Sequence, residues 1–143
     1  MMRVVLDTNV IVSGIVGVHR STSVPGKILR LFHAKRIEVV TSDVLLAEIQ
    51  RTLSLDYFAQ RTERWDRAKA LDALSTDGAK TTLTVTVGGV ASHPEDDLIL
   101  ATALSARVDY LVTGDKQLLA RDGYEGLRIV SPRDFLDLLE GTV

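Results

Sequence analysis

The stretch that decides the fold is Arg3-Val4-Val5-Leu6-Asp7-Thr8-Asn9-Val10-Ile11-Val12-Ser13-Gly14. Its apolar run Val4-Val5-Leu6 predicts a buried strand of a parallel sheet, and the apolar residues after Asn9 predict a helix. Asp7 lies between the two elements. Because ligands of open α/β sheets bind beyond the carboxyl ends of the strands, we expect Asp7 to lie where chemistry takes place.

The remainder of the chain alternates strand and helix patterns, which predicts an α/β fold. We expect a doubly wound, mainly parallel sheet with helices on both faces. The length of 143 residues, with 45% hydrophobic and 25% charged residues, fits one globular domain spanning 1–143. The predicted strands after the first are 37–40, 82–87, 110–112 and 127–130, and the helices include 27–34, 43–55, 63–74, 94–106, 116–120 and 132–140.

The charge and the cysteine count exclude several kinds of site. A formal net charge of −2 does not by itself indicate a nucleic-acid partner, so contact with RNA or DNA needs local basic patches or a cation. Without cysteine, thiolate metal sites, disulfides and a cysteine nucleophile are excluded. Asp7 interrupts the first apolar run, and no stretch reaches the roughly 18 apolar residues of a membrane span. We therefore expect a soluble, cytoplasmic protein with no membrane partner.

Further acids follow predicted strands or begin predicted helices: Glu48, the Asp96-Asp97 pair and Asp115. Each one has a simple structural explanation. Asp7 and Asp115 occupy helix N-cap positions, and Asp96 and Asp97 complement the helix dipole in a first turn. Glu48 falls at the shoulder of the apolar arc of its helix, so it is neither plainly buried nor plainly solvated.

Together, these acids lie where the elements of a parallel sheet can converge. Carboxylates in one pocket cannot all ionise without a large cost unless a cation neutralises them. The natural choice is Mg²⁺ or Mn²⁺, which prefer oxygen ligands. Such a cation suits phosphodiester cleavage, because it activates water and stabilises charge on the transition state.

The motifs resemble those of PIN-domain nucleases, and in particular the VapC-like ribonucleases of bacterial and archaeal toxin–antitoxin systems. Their order and spacing match across nearly the whole chain. The segments that carry the resemblance are Leu6-Asp7-Thr8-Asn9, Leu45-Leu46-Ala47-Glu48, Pro94-Glu95-Asp96-Asp97 followed by Ala101-Thr102-Ala103-Leu104, and Leu111-Val112-Thr113-Gly114-Asp115.

The resemblance implies a five-stranded parallel sheet and an endoribonuclease dependent on Mg²⁺ or Mn²⁺. It also implies three partners: RNA, a cognate antitoxin and a second copy of the chain. Asp96 keeps the family's distance to the Ala-Thr-Ala-Leu run, so Asp97 is an accessory metal ligand. Asn9 and Thr113 look like hydrogen-bonding supports of the carboxylates, with local turn bonding equally expected for Thr113. The implied catalytic and metal-binding quartet is Asp7, Glu48, Asp96 and Asp115.

Two other functions are compatible with parts of the sequence. One is a PIN-fold binding module with weak catalysis. The other is a haloacid-dehalogenase-like phosphatase, which needs a second acid where this chain has Asn9.

A separate feature is Trp65, which stands among Arg61, Arg64, Arg67 and Lys69. This group is either a basic RNA platform or part of a partly packed helix, and the helix is the expectation.

Overall fold

The computed structural model describes residues 1–76, 78–89, 94–121 and 123–141, apart from the side chains of 94–96. Its strands are β1 (Arg3–Leu6), β2 (Glu38–Thr41), β3 (Ala79–Lys80), β4 (Tyr110–Val112) and β5 (Arg128–Val130). Its helices are α1 (Thr8–Val16), α2 (Val24–His33), α3 (Asp43–Leu53), α4 (Asp56–Ala59), α5 (Arg64–Thr76), α6 (Pro94–Ala106), α7 (Lys116–Ala120) and α8 (Pro132–Glu140).

The strands form one parallel sheet in the order β3-β2-β1-β4-β5. The chain builds outward from β1 to β2 and β3, and then crosses back to add β4 and β5 on the other side of β1. The direction of winding therefore reverses between β1 and β4, and ligands of α/β proteins bind at such a reversal. The predicted α/β fold with a central five-stranded parallel sheet and flanking helices is confirmed.

The core is mainly aliphatic, as the low aromatic content of 5% predicts, with Phe32, Tyr110 and Phe135 as its aromatic members. Val4 and Val5 of β1 and Leu111 and Val112 of β4 are fully buried, which fits strands covered on both faces. Within α6, the apolar residues from Ile99 onward are largely buried, in agreement with the prediction of a central helix. None of the described helices combines the length and the apolar character needed to cross a bilayer.

Serine side chains cap three of the helices. Ser42 Oγ accepts the backbone N–H of Leu45 at 3.3 Å, and Ser131 caps α8 in the same way. Ser23 Oγ accepts the N–H of Gly26, so α2 begins at Val24 and not at residue 27 as predicted. The proline at position 25 is compatible with the first turn of a helix, where its missing N–H needs no intrahelical partner.

The predicted strand over residues 82–87 is wrong. The edge strand is β3, where Ala79 and Lys80 pair with the end of β2. The backbone beyond it leaves the sheet, because Thr84 N–H and Val85 N–H donate to Ser105 Oγ of α6 at 2.9 and 3.3 Å. The β-branched composition predicts extended backbone at these positions, and it does not determine what that backbone bonds to.

Glycines allow α1 and α2 to approach closely. A Cβ atom on Gly26 would lie 2.1 Å from the carbonyl oxygen of Gly17, just beyond the end of α1. One on Gly17 would lie 2.1 Å from Ser23 Oγ, the atom that caps α2. Neither position has space for a side chain, so the contact between the helices requires glycine on both sides.

We predict that Gly26→Ala lowers the free energy of unfolding by about 2 kcal/mol or more, because the added methyl group meets backbone that cannot rotate away. Gly88→Ala is the matched control, since a Cβ atom there meets no atom of the described residues within 4 Å. Urea denaturation of both variants measures the difference. Equal midpoints for the two variants would contradict the packing described here.

Candidate active site

Asp7 lies at the junction of β1 and α1, beside the neighbouring strand β4. Its backbone N–H donates to the carbonyl oxygen of Val112 at 2.9 Å, which continues the parallel ladder by one residue. The residue is only 6% exposed. The carboxylate is therefore held at the carboxyl edge of the sheet, at the point where the winding reverses.

Thr113 connects Asp7 to Asp115. It follows β4 and is fully buried, and its hydroxyl donates to Asp7 Oδ2 at 2.7 Å. The Thr113 hydroxyl oxygen also accepts the backbone N–H of Asp115 at 3.0 Å. Because Leu6 is in register with Val112, the next residues on the two strands, Asp7 and Thr113, face each other. One hydroxyl thus fixes a carboxylate and the backbone that carries the second acid.

Asp115 caps the short helix α7. Its Oδ1 accepts the backbone N–H groups of Gln117 and Leu118 at 2.8 and 3.4 Å. Within the described residues, no hydrogen bond reaches its Oδ2. The capping explanation and a ligand role for Asp115 are thus compatible, because each would use a different oxygen.

The pKa of Asp7 is raised above its ordinary value of 3.8. Burial is the main cause, since it penalises the charged form. The negative charge of Asp115 raises the pKa further, while the hydrogen bonds from the Thr113 hydroxyl and the Thr8 backbone lower it. A positive ion beside these two acids would lower both the cost of burying the Asp7 charge and its repulsion by Asp115.

The remaining predicted acids have different environments. Glu48 is half-buried on α3, in agreement with its predicted position at the shoulder of the apolar arc. Asp97 is buried, and its Oδ2 accepts the backbone N–H of Gly89 at 3.0 Å. The side chain of Asp96 lies outside the described residues. Within the described part of the chain, no three Asp, Glu or His side chains are grouped closely enough to hold a metal ion. Among the described residues, the structure thus links Asp7 to Asp115 through Thr113 and does not group Glu48 or Asp97 with them.

The Asn9 side chain is exposed on the first turn of α1, and it makes no hydrogen bond to a side chain or backbone group of the described residues. The sequence suggested that Asn9 and Thr113 both support Asp7 through hydrogen bonds. The structure shows such a hydrogen bond for Thr113.

Two buried hydroxyls at the same edge are not among the site residues predicted from the sequence. Thr41, the last residue of β2, is fully buried, and Thr8 follows Asp7 with 3% exposure. Neither hydroxyl has a hydrogen-bond partner among the described residues. Unsatisfied buried polar groups are rare and costly, and they are frequent at functional sites. The sequence contains one signal for Thr41. A threonine is the last residue of β2, just as Thr113 directly follows β4.

A further contact at this edge orders the two helices that carry Glu48 and Asp97. Ser42 Oγ, the cap of α3, lies 3.0 Å from the hydroxyl of Thr102 on α6, and both residues are buried. This contact fixes the start of α3 against the middle of α6.

The groups at this edge match the preferences of a hard divalent cation. They are carboxylate and hydroxyl oxygens, and the described residues add no sulfur and no histidine nitrogen to them. Mg²⁺ and Mn²⁺ prefer oxygen ligands, whereas zinc sites generally include nitrogen or sulfur. The residues present therefore fit a hard divalent cation, and Asp7 and Asp115 are the two acids that the structure links at this edge.

Comparison with known proteins agrees with this geometry. A structural match with a TM-score of 0.57 and 18% sequence identity covers 91% of this chain and 98% of the matched one. The matched chain belongs to the crystal structure of VapBC2 from Rickettsia felis bound to a DNA fragment from their promoter. No curated protein matches the chain at a significant level of sequence similarity. The family model for the PIN domain matches residues 3–117, which includes β1, α3, α6 and β4. The chain therefore belongs to the PIN-domain family.

Proposed function

We propose that this PIN-domain protein is a metal-dependent endoribonuclease that hydrolyses phosphodiester bonds of RNA. Family membership supports a nuclease. The observation that carries the proposal is the pair of acids, Asp7 and Asp115, joined through the Thr113 hydroxyl at the reversal point of the sheet. A haloacid-dehalogenase-like phosphatase has no support, because the family match is to the PIN domain and Asn9 stands where that enzyme needs an acid.

In this proposal Asp7, Asp115, Asp96 and Glu48 hold Mg²⁺ or Mn²⁺, with Asp97 as an accessory ligand. The family resemblance alone assigns Asp96 and Glu48 to this group. The chemistry that a bound divalent ion supplies is a positive charge that favours deprotonation of the attacking water and offsets the charge of the phosphate.

The protein's own groups prepare the site for this chemistry. Burial of Asp7 excludes water from the carboxylate, which strengthens its interaction with a cation. The hydroxyl of Thr113 fixes the orientation of that carboxylate and favours its charged form. Capping of α7 through Oδ1 holds Asp115 in place and leaves Oδ2 to bind a ligand.

We also propose that the protein is the toxin of a type II toxin–antitoxin pair and forms a homodimer. The structural similarity to a chain of the VapBC2 complex supports the toxin–antitoxin assignment, and the homodimer is proposed from the family resemblance. Co-purification with the product of an adjacent small gene would test the antitoxin partner. A monomer by light scattering at high micromolar concentration would contradict the dimer.

The main alternative is a PIN-fold binding module with weak catalysis. The two functions differ in one measurable respect, because only a nuclease shortens RNA when Mg²⁺ or Mn²⁺ is added. An RNA-binding protein that leaves a varied set of single-stranded RNAs intact with either ion would be assigned to the binding module.

Asp7→Asn is expected to reduce cleavage of single-stranded RNA by at least about a hundredfold, since it removes a charged ligand at the centre of the site. Asp134→Asn, which neutralises an exposed acid on α8, is the matched control and should cleave normally. Gel analysis of a labelled RNA with Mn²⁺ measures both variants. Equal cleavage by Asp7→Asn and the wild type would contradict the proposed site.

The same substitution should stabilise the metal-free protein at neutral pH. Because the folded-state pKa of Asp7 lies above its ordinary value of 3.8, the folded state binds more protons than the unfolded state above that pH. The stability that Asp7 contributes is thus present at lower pH and lost as the pH rises through the raised pKa. Urea denaturation with EDTA should give Asp7→Asn a growing advantage over the wild type between acidic and neutral pH. A difference that does not vary with pH would contradict the raised pKa.

Thr113→Val should lower cleavage by about tenfold to a hundredfold, because outer supports of metal ligands typically contribute that much. It removes a hydrogen bond that lowers the pKa of Asp7, so the acidic limb of the pH–rate profile should move to higher pH. Thr76→Val is the control: it removes an exposed hydroxyl at the end of α5 that, among the described residues, donates only to the Asp72 carbonyl oxygen of its own helix. Identical pH–rate profiles for Thr113→Val and Thr76→Val would contradict the role of Thr113.

A further inference from the structure

Helices α4 and α5 expose aromatic and basic side chains on one part of the molecule. Trp65 is 74% exposed and Tyr57 is 58% exposed, which is unusual for side chains of this size. Three exposed cations accompany them in the sequence. We call this the aromatic–basic surface and define it by Tyr57, Arg61, Arg64, Trp65 and Lys69.

Trp65 is part of a partly packed helix, as expected, and its indole lies on the exposed side of that helix. The buried face of α5 consists of Asp66, Ala70, Ala73 and Leu74. Asp66, next to Trp65 in sequence, turns inward and pairs with His19 at 2.9 Å. The indole is thus left in solvent by a helix that is otherwise well anchored to the core.

The surface is held in a defined arrangement. The Arg61 guanidinium lies 3.7 Å from the centroid of the Tyr57 ring and donates to the Tyr57 carbonyl oxygen. Arg67 has a different role, because its guanidinium donates to the carbonyl oxygens of Ala59 and Thr62 and to the Thr62 hydroxyl. These bonds fix the turn between α4 and α5, so the aromatic rings project from an ordered frame.

We propose that the aromatic–basic surface binds the single-stranded RNA substrate, with bases stacked on Trp65 and Tyr57 and phosphates near Arg61, Arg64 and Lys69. This inference rests on the proposed ribonuclease function. Proteins bind single strands by combining aromatic stacking with cationic side chains along the backbone. Lys69 lies one turn after Trp65, on the same side of α5, so a cation adjoins the exposed indole.

The position of the surface relative to the acids supports this role. Both α4 and α5 pack against α3, the helix that carries Glu48. Helix α3 ends at Leu53, five positions after Glu48, which corresponds to a rise of about 8 Å, and α4 begins at Asp56. An RNA strand leaving the carboxyl edge of the sheet along α3 would therefore reach the surface.

The composition of the surface fits a single strand of RNA. Two of the three large apolar side chains exposed here, Tyr57 and Trp65, are aromatic, and Leu55 is the third. Arg61 already engages an aromatic ring through a cation–π contact, the type of interaction that contributes to binding of single strands.

The intrinsic fluorescence of Trp65 serves as the probe for RNA binding, because Trp65 is the single tryptophan of the chain. An unlabelled single-stranded RNA of about 12 nucleotides is titrated into Asp7→Asn protein with EDTA, so that nothing is cleaved. Stacking on the indole should quench its fluorescence. A duplex of the same sequence should quench less, since its bases are already stacked and paired.

Affinities are then compared with fluorescein-labelled RNA. Trp65→Ala should weaken binding by about fivefold to a hundredfold, whereas Trp65→Phe should retain most of the affinity. Arg36→Ala, which removes an exposed charge in the turn before β2, should bind RNA nearly as well as the parent. Thermal melting of each variant verifies that the fold is intact.

Unchanged RNA affinity in Trp65→Ala overturns the inference. If that variant instead loses self-association in light scattering while binding RNA normally, the surface belongs to a protein contact. Failure of the proposed function is recognised separately: the wild type would then cleave no RNA with Mg²⁺ or Mn²⁺. A wild type that cleaves RNA, together with a Trp65→Ala variant of equal affinity and rate, contradicts the inference on the surface alone.

Discussion

The hydrogen bond from the Thr113 hydroxyl to the Asp7 carboxylate is the contact on which the site depends. It exists because β1 and β4 are parallel neighbours in a register that brings the residues after Leu6 and Val112 side by side. Burial makes the charge of Asp7 costly, and the hydroxyl offsets part of that cost. The part of the cost of burying this charge that is not offset is typical of sites where function, and not stability, has determined the residue.

The other elements at this edge are positioned by the same sheet. Ser42 follows β2, caps α3 and contacts Thr102 of α6, so the helices that carry Glu48 and Asp97 are fixed relative to each other. The hydroxyls of Thr8 and Thr41 add oxygen atoms without partners among the described residues. The carboxyl edge is thus rich in oxygen and negative charge, whereas the surface on α4 and α5 is aromatic and basic. These opposite characters suit a cation at one location and a polyanion at the other.

Much of the fold was predictable because its determinants are local. Strand runs that end in Asp7 and Thr113, and serine caps such as Ser42, can be read directly from the sequence, and parallel pairing then brings the strand ends together. The sequence alone could not show that the extended segment at residues 82–87 lies outside the sheet. Its hydrogen bonding to Ser105 depends on where α6 lies. The same limit applies to Trp65. Its exposure follows from how α5 packs, and helical periodicity alone did not reveal it.

Anomalous diffraction from a crystal grown with MnCl₂ would show whether the two linked acids bind one divalent ion. We expect a manganese peak within coordination distance of carboxylate oxygens of both Asp7 and Asp115, with the Thr113 hydroxyl still bonded to Asp7. An ordered site without manganese at saturating concentration, or manganese bound only at other acids, would contradict this expectation.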